Sequence, residues 1–256
     1  MTSAFVLACG LRIFYLAAGD GEPVLFIHGN TGSSTWFSRV MDIQGYSTYA
    51  LDMPNFGRSA EMPGEVDLHA YADYVKGFID VAGLKSAVVV GHSLGGAVAQ
   101  SLALRYPDSV RALVLVDSAS PTGLLTPRDR FPFIEMMRKD RTILAKAFSA
   151  VVPTLKDRDF FEALVGDATL MAEKAWIGNA EALSRFDVSN ITYGFKKPVL
   201  VLWGTGDYLV TREMAEATAK AYSGGTFLAL EGVGHSVVAE DPGRFSSLLK
   251  EFIDSL

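Results

Sequence analysis

Short apolar runs, each bounded by turn-forming residues, set the rhythm of this chain. Phe5 to Cys9 and Arg12 to Ala17 are separated by Gly10, and Gly19-Asp20-Gly21 closes the second run, so the spacing predicts a hairpin. Five further runs follow: Val24 to Ile27, Ser47 to Leu51, Ala87 to Val90, Ala112 to Val116 and Pro198 to Trp203. They are short, mostly β-branched or aromatic, and end on Gly, Asp, His or Pro. Such runs read as strands buried on both faces, the mark of a mainly parallel sheet. Segments of helical character lie between them, among them Leu68 to Gly83, Gly95 to Arg105 and a terminal one from Gly243 to Ser255. The alternation predicts right-handed βαβ units and therefore an α/β fold, with helices flanking the central sheet.

The rhythm lapses between about Ser118 and Lys197. There Phe131, Phe133, Met136, Met137, Leu144, Phe148, Phe160, Phe161, Met171 and Trp176 recur among charged residues in a helical pattern. A structureless loop of that length is unexpected in a compact domain, so 119–196 reads as an inserted helical cap, with 1–118 and 197–256 forming the core.

With 256 residues, 49% hydrophobic and 20% charged, the chain can bury an ample core without a staple and is expected to be soluble. The net charge of −6 lacks the basic excess that would neutralise phosphates, which disfavours nucleic-acid binding. The single cysteine, Cys9, has no internal partner and reads as structural. No Lys or Arg precedes the apolar Ala4 to Cys9 run and Arg12 soon follows it, so a first strand is a better reading than a signal peptide. No stretch reaches the roughly 20 apolar residues of a membrane span. These features together suggest the cytoplasm and no membrane association.

The chemistry concentrates around Gly91-His92-Ser93-Leu94-Gly95, which follows one apolar run and opens a small-residue helix. That context is what a nucleophile elbow requires: a sharp turn that presents Ser93 at the carboxyl edge of the sheet. Glycines at 91 and 95 fit where side chains would collide with neighbouring elements. A serine hydroxyl is a poor nucleophile at neutral pH and needs a base that titrates nearby, which points to histidine. Of four histidines, His28 ends a strand, His69 begins a helix, and His92 sits within the elbow in what reads as a packing role. His235 remains, in the loop Gly232-Val233-Gly234-His235-Ser236. It needs an acid to fix its tautomer. Asp207 follows a core strand in Trp203-Gly204-Thr205-Gly206-Asp207, and Asp117 ends another; the order Ser, Asp, His favours Asp207. Oxyanion donors are expected from the backbone N–H of Leu94 and, in His28-Gly29-Asn30-Thr31-Gly32, from Asn30.

Together His28-Gly29-Asn30, Asp52-Met53-Pro54-Asn55-Phe56-Gly57-Arg58-Ser59, the elbow, Gly204-Thr205-Gly206-Asp207 and Gly234-His235 resemble the α/β-hydrolase superfamily along nearly the whole chain. The closest likeness is to its capped esterase, lactonase and carbon-carbon hydrolase branch. Asn55 stands where many relatives carry glycine, and asparagine tolerates positive φ, so the loop is expected to keep its shape. The resemblance implies no cofactor and no metal. Haloalkane dehalogenases and epoxide hydrolases fit less well because Ser93 stands where they carry aspartate.

The leading expectation is a carboxylesterase-like serine hydrolase, forming an acyl-enzyme from a small, largely apolar ester. Trp36, Phe133, Met137, Trp176 and Val237 are the candidate pocket residues, most of which could equally be core. Alternatives are a lactonase, a carbon-carbon hydrolase of a vinylogous diketone and, in another class, a receptor that binds a small molecule without turnover.

Overall fold

The computed structural model describes residues 1–256. Eight strands form one sheet in the order β1-β2-β4-β3-β5-β6-β7-β8: β1 (Thr2–Ala8), β2 (Leu11–Ala18), β3 (Glu22–Ile27), β4 (Tyr46–Leu51), β5 (Ala87–His92), β6 (Val110–Val116), β7 (Val199–Gly204) and β8 (Gly225–Leu230). The pairs β1–β2 and β2–β4 are antiparallel, and every other pair is parallel. The predicted hairpin is β1–β2, whose tight turn puts Cys9 at φ 48 and Gly10 at φ 77, the left-handed pair such turns demand. Cys9 is exposed there.

The helices are α1 (Leu68–Val81), α2 (Leu94–Arg105), α3 (Phe131–Lys139), α4 (Arg141–Val151), α5 (Arg158–Ala168), α6 (Glu173–Arg185), α7 (Arg212–Ala221), α8 (Val237–Glu240) and α9 (Pro242–Asp254). Aspartates 67, 140, 157 and 241 cap α1, α4, α5 and α9 by accepting first-turn amides, which stabilises each by about 1 kcal/mol. The helix predicted from Leu68 stops at Val81, and Gly83 at φ 69 turns the chain onward. None of the helices is long and apolar enough to cross a membrane.

The core is one apolar cluster running from the sheet into the helices between β6 and β7. Every residue of β5 is buried, as its unbroken apolar run predicts, and β5 lies mid-sheet with Ile27 opposite Gly91 on one side and Val116 opposite His92 on the other. Helix α2 is buried almost throughout, with small residues toward its neighbours. A Cβ on Gly95 would run into the carbonyl oxygens of Ile27 and His28, and one on Gly96 into Ser118. Close approach of helix and sheet therefore depends on these glycines.

Between β6 and β7 come α3 to α6, which pack on one another and reach the rest of the molecule at α1 and at the 3-10 turn Ser34–Phe37. Polar contacts fasten them. Asp167 of α5 accepts hydrogen bonds from Ser33 Oγ and Thr35 Oγ1 and pairs with Arg58 at 3.1 Å. Asn179 of α6, wholly buried, donates to Asn30 Oδ1 at 2.8 Å and accepts from Tyr71. The loop at Asn55 keeps its shape as expected: Asn55 takes φ 72 and bonds both Tyr71 and Met62.

Candidate active site

Because the strands from β3 onward run parallel, their carboxyl ends gather the loops at His28, Ser93, Asp117, Asp207 and His235 along one edge. Ser93 lies between β5 and α2 at φ 54, ψ −119, a conformation serine rarely adopts and one that costs on the order of 1–3 kcal/mol. Its surroundings over-determine it. The Ser93 N–H donates to Val116 O at 3.0 Å, and its carbonyl accepts from Gly96 N at 2.9 Å and Ala119 N at 3.2 Å.

His235 Nε2 lies 2.9 Å from Ser93 Oγ, and its Nδ1 lies 2.7 Å from Asp207 Oδ2. With Nδ1–H donating to the carboxylate, Nε2 presents its lone pair to the serine hydroxyl. The other oxygen of Asp207 accepts from Leu209 N at 2.7 Å and Val210 N at 3.2 Å, which fixes the carboxylate plane. Burial pulls the His235 pKa down, but the hydrogen bond and charge of Asp207, with the charges of Asp117 and Glu240, outweigh it and leave the group raised above 6.5.

Asp117, the other candidate acid, bonds Gly204 N at 2.8 Å through Oδ1, while its buried Oδ2 has no partner. Desolvation holds its carboxyl above the usual carboxylate range, the neighbouring Asp207 pushing the same way against His235. Of the two acids, Asp207 is the one bonded to the histidine.

His92 is drawn into the site more closely than its packing role in sequence suggests. Its Nε2 donates to the backbone carbonyl of His235 at 2.8 Å, and its ring stacks on Trp36 at 5.4 Å. Burial, then the proximity of His235, lowers its pKa to about 3, so it is an uncharged donor. His28 is structural: its Nε2 accepts from Met53 N and its Nδ1–H donates to Gly29 O, which ties the end of β3 to that of β4. The loop it shapes leaves the Asn30 amide without an acceptor in the chain, and Ser93 provides no side-chain cap to the helix beginning at Leu94.

The expected pocket residues divide. Trp36 is 5% exposed and lies between His92 and Phe148, a residue of α4 at 5.9 Å. Val237 is buried at the start of α8, two residues after His235. Trp176 is sealed in the core, Met137 is half-buried on α3, and Phe133 is 42% exposed. Sequence reasoning overlooked Glu240, which accepts hydrogen bonds from Gly234 N and Ser236 N on either side of His235. An acidic residue one helical turn beyond a Gly-His-Ser loop is the signal that could have found it.

A mostly parallel eight-stranded sheet with a Ser-His-Asp chain at its carboxyl edge defines an α/β hydrolase. The sequence profile of the alpha/beta hydrolase family matches residues 24–248, and the chain belongs to that family. It is similar to the dihydrolipoyllysine-residue acetyltransferase component of the acetoin cleaving system of Cupriavidus necator, 29% identical over 95% of this chain and 67% of that protein. A 2-hydroxy-6-oxononadienedioate/2-hydroxy-6-oxononatrienedioate hydrolase from Pseudomonas sp. is 27% identical over 92% of this chain and 89% of that protein. Among solved structures, an esterase from Exiguobacterium antarcticum superimposes with a TM-score of 0.88 at 20% identity, covering 98% of each chain.

Proposed function

We propose that this hydrolase cleaves a carboxylic ester of a small, largely apolar substrate through an acyl-enzyme, with Ser93 as nucleophile, His235 as general base and Asp207 as its orienting acid. The observation that carries the reading is the unbroken hydrogen-bond chain from Ser93 Oγ through both ring nitrogens of His235 to Asp207. Ser93 Oγ attacks the ester carbonyl as His235 Nε2 takes its proton, and the developing oxyanion is received by the N–H groups of Leu94 and Asn30. The imidazolium, held by Asp207, protonates the departing alcohol. Water, deprotonated by the same Nε2, then releases the acid. Helices α3 to α6 serve as the cap over this edge, and Trp36, Phe148 and Val237 form part of the wall beside it.

The test is hydrolysis of a chain-length series of p-nitrophenyl esters by wild type and Ser93→Ala, with folding checked by circular dichroism. Ser93→Ala is expected to lose at least about 10⁴-fold in kcat. Undiminished turnover in a folded Ser93→Ala would reject the reading.

Relatedness to the Pseudomonas hydrolase favours a second reading, hydrolysis of a carbon-carbon bond in an oxo-dienoic acid by the same residues. It needs a cationic clamp for the substrate carboxylate. Arg138 is already paired with Glu135 and Glu173, which weighs against it in that role. Exclusive turnover of a dienone acid over simple esters would reverse the preference.

A further inference from the structure

Three consecutive backbone amides anchor the loop of His235, and all are answered at one corner of the molecule. Gly234 N–H and Ser236 N–H donate to Oε1 of Glu240 at 2.9 and 3.2 Å, and the His235 N–H between them donates to Val151 O at 2.9 Å. Oε2 of Glu240 accepts from Thr154, the N–H at 3.1 Å and Oγ1 at 2.6 Å. Val151 ends α4 and Thr154 lies just beyond it. One carboxylate therefore bridges the loop of the histidine and the inserted helices. Pro153 closes the corner so tightly that a Cβ on Gly234 would strike its ring.

Resting on the serine-hydrolase reading above, we infer that Glu240 is a positioning residue that fastens the His235 loop to the segment after α4, so that Nε2 meets Ser93 only while that segment is docked. The chemistry requires a carboxylate. Donors converge on both oxygens, so both ends of the side chain must accept. Glutamine would turn its own NH₂ toward one set of N–H groups and leave them unanswered. Aspartate is a methylene too short to span both partners.

The charge of Glu240 acts on the histidine as well as its bonds. His235 faces Asp207, Asp117, Glu240 and the uncharged His92, and the carboxylates all favour its protonated form. Beside Glu240, the adjoining cleft presents Arg39, Lys156, Asp157, Glu231 and Asp241, with Arg39 paired to Asp157. Replacing Glu240 by a neutral residue therefore both loosens the loop and lowers the pH at which His235 gives up its proton.

The experiment follows phosphonylation of the full chain by a fluorophosphonate, read by intact mass as a function of pH. Ser93 Oγ forms the P–O bond, fluoride leaves, and the serine proton passes to His235 and on to solvent, so the probe reports the base without needing the natural substrate. Wild type should label at Ser93, and Ser93→Ala should not. Glu240→Gln should label about 10- to 100-fold more slowly, the scale of a misplacement near 1 Å, with its pH midpoint moved downward. Thr154→Ala, which loses one of the four bonds and is exposed, should slow labelling by a few-fold. Folded Glu240→Gln with the rate and midpoint of wild type overturns the inference. Should that variant not fold by circular dichroism, Thr154→Ala decides: an unchanged rate overturns it. Folded wild type that resists labelling overturns the serine-hydrolase reading itself, and with it the inference.

Discussion

The backbone carbonyl of His235 is held at 2.8 Å by Nε2 of His92, so the residue adjoining the nucleophile grips the residue proposed to activate it. Replacing His92 with Phe keeps a ring to stack on Trp36 but leaves that carbonyl without its donor. The expected cost is about 1–3 kcal/mol of stability from the unanswered buried acceptor. Urea unfolding checks the first part; p-nitrophenyl ester kinetics check the second, a fall in kcat of about tenfold with little change in KM.

The same residue has a pH signature. In the unfolded chain His92 takes a proton as pH falls through about 6.5, whereas in the folded protein it resists protonation until about 3. The unfolded state therefore binds more protons between those values, and stability drains as pH falls through that window. His92→Phe should show a flatter decline from pH 6.5 toward 4 in thermal melts, and an unaltered slope would contradict the burial argument.

His235 is shifted the other way. Only its unprotonated form can act as a base, so the acid limb of kcat/KM should lie above pH 6.5. Asp207→Asn removes the charge that holds the limb there and upsets the tautomer, and should move the limb to lower pH while reducing kcat by about 10⁴-fold. A pH–rate profile of both proteins with one ester checks the sign.

Asp117 sits near the same histidine, yet it bonds Gly204 and is kept above the ordinary carboxylate range by burial. A carboxyl whose folded pKa is raised costs stability as pH rises above its unfolded value. Asp117→Asn should therefore retain kcat within about threefold and melt at a temperature no lower than wild type at pH 7, since the amide removes the buried carboxyl and can still accept from Gly204. A loss of activity comparable to that of Asp207→Asn would show that the two acids share one task.

At the start of α2, Gly95→Ala forces a methyl group against the carbonyls at the end of β3. Overpacking of this kind costs about 1–3 kcal/mol. It also shifts the Leu94 amide, so activity should fall further than stability alone explains; urea midpoints and ester kinetics measured on one preparation separate the two.

The strands and the residues that meet at the sheet edge were legible because each carried local punctuation. Runs such as Ala87 to Val90 need two buried faces, and Gly-x-Ser-x-Gly or Gly-His stand where only a tight turn at a strand end explains the glycines. Asp207 was legible from its place after a strand, although choosing it over Asp117 drew on chain order. The parts that stayed hidden lie in contacts between distant segments. Nothing local to Glu240 announces Thr154, 86 positions away, and His92 looked like packing because its acceptor is a backbone atom 143 residues on. Helix α7 was passed over because its apolar face is narrow: among Arg212–Ala221 only Ala215, Thr218 and Ala219 are buried.

Helix α3 differs from the other three helices between β6 and β7 in having no buried residue, while α5 is tied through Asp167, α6 through Asn179 and the end of α4 through Val151. Ile134 and Met137 pack against the core from its inner side, and substitutions at its exposed positions disturb neither a core contact nor a bond to the loops at the sheet edge. Its outward surface is ground on which sequence drift can accumulate cheaply, so a library of variants at the exposed positions of α3 should yield mostly folded protein.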